Sequence, residues 1–231
     1  TSGYVTVREA PGQAVTVSST QFSNADYIKF GPGFTISAGS ILACSTNIHL
    51  LGNTWQTTGL AVSNYNSVCT NYPANLLVDG NTFPQITPSI SEGMVDVRDQ
   101  SANGASAWGV VISNNTFPGN APSNSTGDGV QLTGNVRGVT IGPGNIFEID
   151  QVGPVHADMI QFFCSGQDNV ITGNWFRDGA VVLTHHTGTP TGTQFTNNVV
   201  RNVGQLQVDQ SVNFLFEHNT LSDLFDLFAL N

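Results

Sequence analysis

The chain has 231 residues, enough for one large domain with a sizeable core. Lys and Arg total 6 against 16 Asp and Glu, so the net charge of −10 excludes electrostatic capture of nucleic acid. Only 10% of residues are charged, against about 25% in an ordinary soluble protein, yet 39% are hydrophobic, so the composition is not that of a disordered chain.

Thr1-Ser2-Gly3 leads straight into the strand-like Tyr4-Val5-Thr6-Val7, with no basic or apolar leader ahead of it. The only lysine, Lys29, comes early. From there an Asn followed two residues later by a bulky apolar side chain recurs. It is found at Asn53-Thr54-Trp55, Asn81-Thr82-Phe83, Asn115-Thr116-Phe117, Asn145-Ile146-Phe147, Asn174-Trp175-Phe176, Asn198-Val199-Val200 and Asn219-Thr220-Leu221. The Asn spacings are 28, 34, 30, 29, 24 and 21. Short alternating runs such as Val139-Thr140-Ile141 and Phe214-Leu215-Phe216 precede each Asn, and no helical periodicity intervenes. The chain ends abruptly in the apolar run Leu224 to Asn231. No apolar run approaches the roughly 20 residues that span a bilayer.

Short strands repeating without helices predict stacked coils, because a single coil cannot bury its apolar face alone. Asn suits the turn, since it tolerates left-handed backbone angles and its amide can bond to the Asn of the next coil. The apolar residue two positions on then points inward and stacks on its equivalents. The expected fold is all-β: a right-handed parallel β-helix, a single domain over 1–231. It would have about eight coils rising about 4.8 Å each, truncated at one or both ends. The repeat resembles the secreted β-helix proteins of the pectate-lyase superfold. The opening Ser2-Gly3-Tyr4-Val5-Thr6-Val7-Arg8-Glu9-Ala10-Pro11-Gly12 resembles the first-coil motif of that group.

Cys44 and Cys69 fall at equivalent places on neighbouring coils, where a disulfide and a pair of buried thiols are both open. Cys164 lies about three coils further on, and no CxxC pair marks a metal site.

Two coils align closely. Gly127-Asp128-Gly129-Val130-Gln131-Leu132 matches Ala157-Asp158-Met159-Ile160-Gln161-Phe162, so Asp128 falls on Asp158 and Gln131 on Gln161, each 30 residues apart. Strand alternation points Val130, Leu132, Ile160 and Phe162 inward and the glutamines outward. Asp96 extends the outward row backward. A residue near Val182 or Thr184 and then Gln207 extend it forward. Such a row suits sugar hydroxyls, because amides offer paired donors and acceptors. Met159 and Phe163 share the outward parity and are candidates to stack on sugar faces.

Asp128 and Asp158 can then lie about 5 Å apart, and like charges at that range raise one pKa. Three roles follow: an acid and nucleophile pair, as in retaining glycosidases; a shared Ca²⁺; or caps for backbone N–H groups. His156 precedes Asp158, and His185 and His186 follow the next strand, placing three imidazoles at one edge as proton-transfer candidates. Arg177-Asp178 and Arg98-Asp99 border the same region, while His49 and His218 read as turn or ladder residues.

His156-Ala157-Asp158-Met159-Ile160-Gln161-Phe162 resembles the His-Ala-Asp-x-Ile/Val-Gln element of many secreted bacterial β-helix proteins. That resemblance implies a secreted polysaccharide lyase or uronan C5-epimerase acting on an acidic polysaccharide. Lyases of this superfold often use a Lys or Arg base with Ca²⁺. No Lys follows Lys29, so the base role falls to Arg177, Arg98 or a His. The alternatives are a glycoside hydrolase using Asp128 and Asp158, and a non-catalytic adhesin or phage tail-spike module, with a trimer conceivable for the last. An ice-binding solenoid would need a flat Thr array, and the threonines read as scattered.

Overall fold

The computed structural model describes residues 3–42, 44–56, 59–63, 73–84, 93–99, 109–119, 127–149, 157–163, 166–208 and 211–227. Among them there is no helix, and every strand pairing is parallel. Long all-parallel sheets without crossover helices are consistent with a β-helix solenoid.

Three faces can be followed. The first is a nine-stranded sheet whose spatial order is the chain order, from Val5–Val7 through Asp26–Phe30, Thr46–Leu51, Leu76–Asp79, Val110–Ser113, Thr140–Ile141, Val170–Thr172 and Gln194–Thr196 to Leu215–Glu217. The second begins with Val15–Val17, Phe34–Ile36 and Thr54–Trp55. It continues through bridges from Thr54 to Thr82 and Thr82 to Thr116 into Thr116–Phe117 and Ile146–Phe147. The third holds Thr20–Phe22, Gly39–Leu42, Leu60–Ser63, Val95–Asp99, Val130–Gly134 and Asp158–Phe163. The 13-residue strand Trp175–Thr187 joins the last two faces. Its Trp175 and Phe176 pair with Ile146–Phe147, and its later residues pair with Asp158–Phe163.

One continuous hydrophobic core contains residues of all three faces, among them Val78 and Ile112, Phe117 and Phe147, and Leu132 and Phe162. Burying each such side chain contributes about 1.5–3 kcal/mol.

The Asn repeat forms a hydrogen-bonded ladder. Backbone N–H groups of Asn53, Asn81, Asn115, Asn174 and Asn198 donate to Oδ1 of the Asn one repeat on, at 2.8–3.0 Å. Asn145 joins through Nδ2, which reaches Asn174 Oδ1 at 2.9 Å. Each Nδ2 also reaches a carbonyl of the first face, as Asn145 does Ile112 at 2.8 Å. The left-handed backbone angle falls elsewhere than expected. It belongs to the residue before the Asn: Gly52, Gly80, Asn114, Gly144, Gly173, Asn197 and His218 all have positive φ. The ladder Asn is therefore needed for its amide, and its neighbour makes the bend.

Trp55, Phe83, Phe117, Phe147 and Phe176 stack inside, with centroids 4.5–5.8 Å apart. Beyond Phe176 the aromatic column passes to Phe195 and Phe216, which come before their Asn rather than after it. Val200 and Leu221 take the expected inner positions there. Cys44 is disulfide-bonded, which removes the free-thiol reading for it. Cys69 and Cys164 lie outside the described residues.

Candidate functional site

The third face aligns the outward row. Asp96 pairs in register with Gln131, Gln131 with Gln161 and Gln161 with Thr184. The backbone N–H of Gln207 donates to the Leu183 carbonyl at 3.1 Å, which brings Gln207 alongside. Phe163, opposite Thr133, is 46% exposed, and Thr133 is in turn opposite Arg98.

Although Asp96, Gln131 and Gln161 point away from the core, they are buried, as are Asp128 and Asp158. A network connects them. Gln131 Nε2 donates to Gln161 Oε1, and Gln161 Nε2 donates to Asp158 Oδ2 at 2.9 Å. The Asp158 backbone N–H donates to Asp128 Oδ1 at 2.8 Å. Arg98 Nε donates to Asp96 Oδ2 in a charge-assisted bond. Burial, then the negative charge of Asp158, push the Asp128 carboxyl up to about 8; the Asp158 N–H opposes them, and the charge of Asp96 adds the smallest contribution upward. At neutral pH Asp128 is thus a neutral acid.

Other predicted residues go elsewhere. Met159 has the expected outward parity, but its side chain is buried in the core cluster, so it is no stacking surface. Its neighbours explain this: a Cβ at Gly179 would meet the Met159 methyl, so the missing side chain there makes room for the thioether. Arg177 lies on the second face, ion-paired to Glu148 at 2.6 Å and opposite Arg201, apart from the network around Asp128. Asp178 sits exposed inside the strand Trp175–Thr187, with a left-handed backbone angle, and accepts from Asn202 Nδ2 at 2.9 Å. Asp99 is buried at the end of the Asp96 strand. His156 lies outside the described residues. His185 and His186 are placed by backbone alone, His185 opposite Phe162.

Two features were not read from the sequence. Tyr4, Lys29 and His49, which are 45 residues apart at their widest, meet on the first face. The Tyr4 hydroxyl lies 3.0 Å from His49 Nε2, and Lys29 Nζ lies 4.7 Å from the Tyr4 ring centroid. Burial, then Lys29, lower the His49 pKa. His49 is thus a strand residue, whereas His218 takes the turn position expected of it. The second feature is a threonine column. Thr16, Thr35, Thr54, Thr82 and Thr116 stack in register on the second face. They are not scattered. Further along that face the column continues through Ile146, Trp175 and Val199, so the regular Thr array that ice demands is not kept up. Only the strand register brings Tyr4, Lys29 and His49 together, whereas Thr54, Thr82 and Thr116 each follow a ladder Asn and are legible in the repeat itself.

No model of a known protein family matches the chain, and neither does any curated protein sequence. The site must therefore be read from its own chemistry. Among the described residues no group of three or more His, Cys, Asp or Glu is arranged to hold a metal ion. Among them, too, no helix is long and apolar enough to cross a membrane.

Proposed function

We propose that the chain is a secreted, right-handed parallel β-helix protein of the pectate-lyase type, with about eight coils stacked at about 4.8 Å. In this reading it processes a uronic-acid-containing polysaccharide along its third face, as a lyase or C5-epimerase. The observation that carries it is Asp128, a carboxyl that keeps its proton at neutral pH beside a register-matched row of Asp96, Gln131 and Gln161. Perturbed acids cluster at functional sites. In β-elimination a base takes the C5 proton, the electron pair forms the C4–C5 double bond, and the C4–O4 bond breaks. A neutral acid then supplies the proton that the leaving oxygen needs. Asp128 is that acid. His156, His185 and His186 are the candidate bases, and Phe163 offers an exposed face for a sugar ring. A Ca²⁺ shared by Asp128 and Asp158 is the rival to this acid role, because a coordinating carboxyl must be ionised.

Both carboxyls are buried, Asp128 at 5% and Asp158 at 0% exposure, so the acid role needs a local opening at Asp128, whereas the hydrolase variant needs one at both residues. That burial favours a second reading, a non-catalytic glycan-binding adhesin or tail-spike module in which the network only joins repeats.

A panel of uronate polymers, with Ca²⁺ or a chelator, separates these readings. Ultraviolet absorbance reports unsaturated ends, a reducing-sugar assay reports hydrolysis, and proton exchange at C5 reports epimerisation. Turnover that Asp128→Asn abolishes supports the enzyme. Binding without turnover supports the module.

A further inference from the structure

The second face carries different chemistry. Its outward column runs in register from Thr116 to Ile146, Trp175 and Val199, so threonine gives way to an apolar rail. Trp175 is 51% exposed, whereas the stacked aromatic rings of the core are buried. Two residues along the same strands, Arg177 stands opposite Arg201. Two like charges on adjacent strands are unfavourable unless anions meet them. Glu148 Oε1 satisfies Arg177, 2.7 Å from Nε and 2.6 Å from Nη2. Asp223 approaches Arg201 only to 4.0 Å, and the Arg201 side chain is 69% exposed. The Arg201 side chain therefore stays largely open to solvent, one strand over and two residues along from the exposed Trp175, in a chain with only 6 Lys and Arg.

We propose that Trp175 and Arg201 form a binding site for a uronate unit of an acidic polysaccharide lying along the stack of repeats. The indole supplies a flat apolar surface for the C–H face of a pyranose. The guanidinium supplies two parallel N–H donors that match a carboxylate. Arg177, already neutralised by Glu148, donates to ring hydroxyls. An extended glycan advances per sugar by a distance close to the strand spacing of about 4.8 Å, so successive units meet successive repeats. The site lies on a different face from Asp128 and does not depend on any turnover there.

The test titrates oligogalacturonate, oligomannuronate and a neutral gluco-oligosaccharide of equal length into the full chain, read by calorimetry and tryptophan emission. At least one acidic ligand should bind, and the neutral one should bind at least about tenfold more weakly. Trp175→Ala should weaken acidic binding about tenfold and remove the emission change. Arg201→Gln should abolish the preference for acidic over neutral ligand. Both side chains are solvent-exposed, and unchanged melting temperatures would confirm that the variants fold. The proposal is overturned if no acidic ligand binds, if the neutral one binds equally, or if either variant binds as the wild type does. Binding here by a chain that turns over no polymer would sustain this site while removing the enzyme reading. Turnover without binding here would do the reverse.

Discussion

The backbone N–H of Asp158 donates to Oδ1 of Asp128 at 2.8 Å, across 30 residues of sequence. Asp128 therefore staples one repeat to the next with the same carboxyl that burial keeps protonated. Its two possible roles, architecture and acid catalysis, can be separated by titration.

The Asp128 carboxyl titrates at 3.8 when solvated and at about 8 in the fold. Between those values the folded chain holds a proton that the unfolded chain has released. The contribution is thus fully present below the lower value and is lost as pH rises toward the upper one. Asp128→Asn retains an oxygen for the Asp158 N–H but cannot ionise. The variant should lose much of the decline in melting temperature between about pH 4 and pH 8. Each 1 kcal/mol relieved at alkaline pH raises the melting temperature by about 2–4 °C. Parallel profiles for the two proteins would mean that Asp128 is ionised in the fold.

The Asn ladder predicts large, position-specific losses. Asn145 is buried and accepts from the Asn115 backbone N–H at 2.9 Å and its Nδ2 at 3.0 Å, while donating to Ile112 and Asn174. Asn145→Ala strands several of these groups, and each buried orphan costs about 1–3 kcal/mol, so a loss of about 3 kcal/mol or more is expected. Asn114→Ala is the comparison. That residue is exposed with φ 53°, and its Nδ2 donates to Asp79 Oδ1 at 2.7 Å, so the cost is the left-handed backbone and one solvent-exposed bond, about 1–2 kcal/mol in all. Urea midpoints that rank the two equally would contradict the ladder.

These two cases show what a sequence can and cannot reveal here. The parallel stacking and the pairing of Asp96, Gln131 and Gln161 were legible because the ladder Asn marks every repeat, although the repeats vary from 21 to 34 residues. Which residue bends was not, since Gly, Asn and His all take the position before the ladder Asn. Met159 was misplaced because parity predicts direction, whereas burial depends on a gap at Gly179, 20 residues away. The covering of the outward row was likewise unreadable, as alternation says nothing of what lies over a face. Trp175 lies inside the repeat motif, and only its exposure sets it apart from the scaffold positions beside it.

The aromatic column should behave as one unit. Phe147 is buried between Phe117, at 4.5 Å, and Phe176, at 4.9 Å. Phe147→Ala should cost about 3–5 kcal/mol through lost transfer energy and a cavity that stacked neighbours cannot fill. Phe147→Leu should cost less. Calorimetry on both variants tests this, and a loss below about 1 kcal/mol for the alanine would show that the column repacks.

The Arg98–Asp96 pair tests how the third face holds charge. Asp96 is buried, and Arg98 supplies the cation bonded to it. Arg98→Met leaves a buried carboxylate without that cation and should cost about 3 kcal/mol or more. Asp96→Asn alone removes the negative charge and leaves Arg98, which is partly exposed, free to turn to water, so its cost should be smaller. The double variant should recover most of the Arg98→Met loss, because no unpaired charge then remains. A second readout is the titration of Asp128, whose carboxyl the Asp96 charge helps to raise. Asp96→Asn should therefore shift the alkaline end of the Asp128-dependent stability profile to lower pH. Additive losses would mean that Arg98 and Asp96 do not depend on each other, and an unmoved profile would mean that Asp96 and Asp128 do not share an electrostatic environment.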